Sequence, residues 1–159
     1  MMNSNLLGTD IMSDAYYHNE EFINQVTKLI GSGDNTPDIA VLSPDTLSTT
    51  ISAGSNAVVY GTLEINHVIV ESGATVKLIN FIGNNEIDIE SSSTLFKVSR
   101  SGATVTFEGT DGTLVKVPAT SDAQSILFSD DTWKLKIESG KVLLGEQVIE
   151  LSQAAMTGN

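Results

Sequence analysis

Glu86, Asp88 and Glu90 alternate with Ile87 and Ile89, and an extended chain sets three such carboxylates on one strand face, about 7 Å apart. That spacing lies in the range a glycosidase pair needs. Glycosidase chemistry also demands contrasting environments, so that one acid keeps its proton while the other is charged. Three equally placed carboxylates supply no such contrast. The row suits a solvated strand face, and it is open to a cation. His18 and His67 are the two histidines, and neither stands at metal-ligand spacing to the other. A surface or packed role suits each. His67 has a further option, because a threefold axis would bring three imidazoles together on an ion. Tyr60, beside Gly61, is a candidate exposed ring for a sugar, with Tyr16 and Tyr17 further upstream. Trp133 is in phase with Leu135 and Ile137, which assigns it to the core.

Other catalytic templates are missing. Serine is abundant, yet no Gly-x-Ser-x-Gly elbow occurs, and Gly31-Ser32-Gly33 lacks both the third glycine of a dinucleotide loop and the lysine of a phosphate loop. There is no cysteine, which removes disulfides, thiolate metal sites and thiol nucleophiles. The residues therefore assign no catalytic group, no metal and no cofactor, and a non-enzymatic role is expected.

Charge narrows the partners. Eight basic side chains against twenty acidic ones give a formal charge of −12, and repulsion from phosphate makes nucleic acid and anionic membranes poor partners. Residues 1–75 hold one basic side chain, Lys28, against nine acids, so an acidic front end could dock on a basic surface. No apolar run approaches the roughly 18 residues of a membrane span, and Met1-Met2-Asn3-Ser4-Asn5 lacks the basic, then apolar, start of a secretory signal.

These residues need strands to position them. Hydrophobic content is 40% but aromatic content only 6%, so the core must come from Val, Ile and Leu, which favour strands. Ser-Gly-Ala-Thr-Val occurs twice, at residues 72–76 and 101–105, and looser turn-then-strand copies lie around Gly54, Ser92, Gly112 and Gly140. Turns at near multiples of ten residues predict a β-meander or β-solenoid body. Alternation continues through Leu63 and Ile65 about Glu64, Val76 and Leu78 about Lys77, Val105 and Phe107 about Thr106, and Trp133, Leu135 and Ile137, each predicting a core-facing edge. Ile39 to Leu42 reads as a short edge strand, and Gly140 and Gly145 mark a closing three-stranded meander.

Residues 13–30 read as a short N-terminal helix, with Ser13 as cap, Lys28 in the last turn and Gly31 as stop. Phe22, Ile23, Val26, Leu29 and Ile30 form its apolar stripe, which needs a partner: the chain's own strands, another subunit or a docking groove. Gly31 to Pro37 reads as linker. The expected organisation is a helix and linker for attachment over residues 1–46, a mainly β body over 47–151 and a flexible tail over 152–159.

Val70-Glu71-Ser72-Gly73-Ala74-Thr75-Val76, its echo at residues 99–105, and Asp131-Thr132-Trp133-Lys134-Leu135-Lys136-Ile137 resemble the style of small virion proteins of tailed bacteriophages: capsid decoration proteins, head fibres and short tail-fibre or spike modules. The resemblance spans residues 47–151 in character, without an aligned motif, and transfers no binding residue. It implies a structural protein of the virion, made in the host cytoplasm, forming a homotrimer and attached to a capsid or tail protein. Two alternatives stand beside it. One is a carbohydrate-binding adhesin module that meets a host surface glycan through Tyr60 and the acidic face. The other is a small β-helical polysaccharide-degrading enzyme.

Overall fold

The computed structural model describes residues 36–158; the expected helix and its stripe of Phe22, Ile23, Val26, Leu29 and Ile30 lie outside them. The described chain is mainly β, in two sheets. Its first six strands are β1 (Asp38–Val41), β2 (Ser48–Ile51), β3 (Asn56–Tyr60), β4 (His67–Val70), β5 (Thr75–Ile79) and β6 (Glu86–Ile89). Odd-numbered strands join one sheet and even-numbered strands the other. Within each sheet they pair in parallel: Ala57 lies beside Asp38 and Val76, and His67 beside Ser48 and Glu86. Each step is therefore 19 residues, one full circuit of the chain through both sheets. β1 is an edge strand, and the first sheet begins there, ahead of Leu47.

A short helical turn, Ser93–Leu95, then diverts the chain into β7 (Phe96–Ser101), β8 (Thr104–Gly109) and β9 (Leu114–Pro118), and from there to β10 (Gln124–Leu127). β9 returns to lie parallel with β5, and β10 parallel with β6. The register partners Val76 and Val115 are two circuits and one residue apart. Beyond that point both sheets turn antiparallel. The first continues through β8 and β7. The second continues through β11 (Thr132–Glu138), β12 (Lys141–Leu144) and β13 (Gln147–Val148), the expected closing meander. Within residues 152–158, Ala154–Ala155 form β14 against β7.

The inner faces carry the core. Val59, Val76, Val115, Val105 and Phe107 come from one sheet and Ile51, Val68, Ile87, Ile126 and Leu135 from the other, all sealed from solvent. Branched aliphatic side chains suit this position because each circuit stacks like on like. Three rings cluster within the core, with Phe128 5.1 Å from Phe96 and 6.1 Å from Phe107. Trp133 and Leu135 are buried as their phase predicts. Leu63 and Ile65 are the exception. They are 86% and 60% exposed in the loop between β3 and β4, because the chain is turning a corner there and alternation no longer means strand.

Gly61 sits at the start of that corner with Phe81 of the next circuit packed on its backbone; a Cβ at Gly61 would meet the Phe81 ring at 2.8 Å. Phe81 is fully buried and has nowhere to retreat. Gly61→Ala should lower the urea midpoint with an unchanged m-value, at a cost of about 1–3 kcal/mol.

Candidate functional site

Polar residues meet at two corners of the circuit, and at both they are engaged with the chain itself. At the β3-to-β4 corner Asn66 and Asn85, one circuit apart, stack with Gln124, and all three are completely buried. Asn85 Oδ1 accepts the Asn66 backbone N–H at 2.7 Å and its Nδ2 at 2.8 Å. Gln124 Oε1 accepts the same two donors from Asn85, at 3.1 and 3.0 Å. Gln124 Nε2 ends the column on the carbonyls of Phe81 and Pro118. At its start, Asn66 holds its own loop: Oδ1 accepts Thr62 N–H and hydroxyl, and Nδ2 donates to the carbonyls of Thr62 and Glu64. Side-chain amides can donate and accept at once, which lets one residue type satisfy the corner backbone in consecutive circuits.

The opposite corner turns on Gly54, Gly73 and Gly112, whose φ angles of 80°, 89° and 93° are the left-handed geometry that favours glycine. Beside them Asp111 accepts the hydroxyls of Ser91 at 2.6 Å and Ser72 at 2.7 Å and the Thr113 N–H at 3.0 Å. Burial opposes its charge, but the hydrogen bonds from Ser91, Thr113 and Ser72 outweigh it and hold the carboxyl down at about 2. Asp130, 19 residues on, accepts Ser93 N–H at 2.8 Å and the hydroxyls of Ser93 and Ser92. The Ser93 N–H is the main cause of its lowered pKa; burial opposes, and the two hydroxyls add to the lowering. Both aspartates thus clamp residues 91–93, where the chain leaves the parallel stack.

The residues singled out in the sequence do not converge. Tyr60 ends β3 on the outer face of the first sheet, half-buried between Val41 and Ile79 in register. His67, Glu86 and Asp88 are on the outer face of the second sheet, with His67 beside Glu86. Glu90 lies past the end of β6, exposed in the turn. Tyr60 and the acidic row therefore cannot form one ligand surface across a single face. Among the described residues, no group of three or more His, Asp or Glu is placed to hold a metal ion, and no helix is long and apolar enough to cross a membrane.

Sequence reasoning missed the amide column and the two aspartate clamps. The signal was present, since Asn66 and Asn85 share the 19-residue spacing of Gly54 and Gly73. In comparisons with known proteins, no family model, no curated protein and no solved structure matches the chain.

Two outcomes follow from these corners. Asn85→Ala leaves the buried Asn66 N–H without its acceptor and should cost about 2–4 kcal/mol in urea unfolding, whereas Asn84→Ala, an exposed neighbour, should change stability by under about 0.5 kcal/mol. For Asp111 the folded pKa lies below the unfolded value of 3.8, so its contribution is complete above pH 4 and is lost as pH falls toward 2. Because this carboxylate remains partly open to water, the loss should be about 1 kcal/mol. Asp111→Asn should flatten the stability profile over that interval.

Proposed function

We propose that this chain is a non-enzymatic structural component of a phage particle, in which a short β-solenoid body projects from the shell or tail. The observation that carries the reading is the use made of polar chemistry. Asn66, Asn85 and Gln124 satisfy one corner of the circuit, and Asp111 and Asp130 brace the other. An aspartate held charged by several donors is a poor proton shuttle at neutral pH, and it is a good clamp. The outer faces bearing Tyr60, His67, Glu86 and Asp88 are sheet surfaces, which suits a stiff projection better than a substrate cleft.

In this reading residues upstream of β1 attach the body to a capsid or tail protein, helped by the acidic excess of residues 1–75, and the bodies associate as homotrimers. The body buries its own core but leaves Ile39, Val41, Leu63, Ile65 and Ile82 more than half exposed, and apolar exposure of this kind favours association.

Two measurements test the proposal. Light scattering on the full chain should give three times the 16.9 kDa protomer mass. A chain lacking residues 1–35 keeps every described strand and should stay folded while failing to rebind particles stripped of the protein. Rebinding by the full chain should weaken with salt, since charge docking is screened. If the shortened chain rebinds as tightly as the full one, attachment lies in the body. Specific glycan binding lost on Tyr60→Ala would favour the adhesin reading instead.

A further inference from the structure

Three of the exposed apolar residues, Leu63, Ile65 and Ile82, lie at one corner. Leu63 and Ile82 hold the same position in successive circuits, 19 residues apart, and with Ile65 they form a ridge at 86%, 53% and 60% exposure. Its one charged side chain is Glu64, flanked by Leu63 and Ile65. The loop behind the ridge is held firmly: Asn66 Nδ2 donates to the carbonyls of Thr62 and Glu64 at 3.1 and 3.0 Å, and Glu64 N–H donates to the Thr62 hydroxyl at 3.0 Å. A ridge ordered before contact loses little conformational freedom on binding.

The outer face of the first sheet carries a counterpart. A shallow groove of about 200 Å³ is lined by Pro37, Val58, Thr75, Leu114, Lys77 and Lys116. The two lysines are register neighbours across β5 and β9, and like charges side by side on a sheet repel. Among the described residues neither is in an ion pair, and the ion pair present joins Lys136 to Glu138. On β8, Glu108 lies beside Leu114 in register and accepts a hydrogen bond from Gln153. The groove thus sets two lysines, neither in an ion pair among the described residues, beside apolar side chains, in a chain of net charge −12.

We propose that the Leu63–Glu64–Ile65 ridge of one copy seats in the Lys77/Lys116 groove of a second copy. Ridge and groove are different surfaces of the same chain, so the contact is head-to-tail, and a contact of that kind is what a closed ring of three requires. Leu63 and Ile82 lie against Val58 and Leu114, while Glu64 comes between the two lysines and relieves their repulsion. This rests on the self-association proposed above, and it names the surfaces and the charge pairing. The matched charges select another copy of this chain as occupant, since its overall negative charge would otherwise oppose association.

The experiment uses two full-length variants. Leu63→Asp disables the ridge, and Lys77→Glu with Lys116→Glu disables the groove; all three side chains lie on outer surfaces, and circular dichroism and melting should match wild type. Each variant alone should run at protomer mass by light scattering. Mixed in equal amounts they should form a species of twice that mass and nothing larger, because one good ridge meets one good groove. Adding Glu64→Lys to the groove variant should restore the wild-type mass. A wild-type monomer would overturn both this contact and the trimer. A wild-type trimer whose variants keep full mass, or whose mixture stays at protomer mass, would overturn the ridge-and-groove contact while leaving the trimer intact.

Discussion

The buried amide column of Asn66, Asn85 and Gln124 is the constraint on which the rest of the structure depends. A chain that crosses from one sheet to the other must bend, and at the bend its backbone N–H and C=O groups leave the ladder and need other partners. Hydrophobic side chains cannot supply them. The amides do, and Asn66 and Asn85 each bind the following amide of the column as well as their own loop, so the corner that satisfies the backbone also fixes the register of successive circuits. Slipping one residue would turn every inward Val and Ile outward, and it would also strand three polar groups in the core.

The parallel stack ends where that economy ends. After β6 the chain needs hairpins to close its sheets, and the departure is pinned by Asp111 and Asp130 on serines 91, 92 and 93. Antiparallel meanders then cover both sheets at that end, with β14 and β13 as the last strands. At the other end β1 and β2 are the edges, and the outward Ile39 and Val41 of β1 are open to solvent. One end of the two sheets is thus built from antiparallel strands, and the other presents the parallel strands β1 and β2, next to the point where residues 1–35 join.

Much of the fold was legible because strands announce themselves by alternation. Trp133, Leu135, Val105 and Phe107 were placed in the core by phase alone, and Ile39 to Leu42 was placed at an edge. The spacing of Gly54 and Gly73 already carried the circuit length. What stayed hidden depends on contacts between residues 19 to 43 positions apart: an isolated Asn reads as a turn residue, and it becomes a ladder only when the next circuit places another above it. Leu63 and Ile65 misled for the related reason that alternation at a corner imitates a strand. Tyr60, read as a candidate exposed ring, is half-buried on the first sheet, whereas His67, Glu86 and Asp88 are on the outer face of the second, and no pattern within one strand reports which sheet it joins.

Amide hydrogen exchange followed by NMR tests most directly whether the amide column holds the fold together. The backbone N–H of Asn66 and Asn85 should exchange only through global unfolding, with protection equal to the stability measured by denaturant. Exchange of these two amides at the rate of the exposed Leu63 loop, while Val68 and Ile87 stay protected, would show that the corner opens independently of the sheets and would contradict the account.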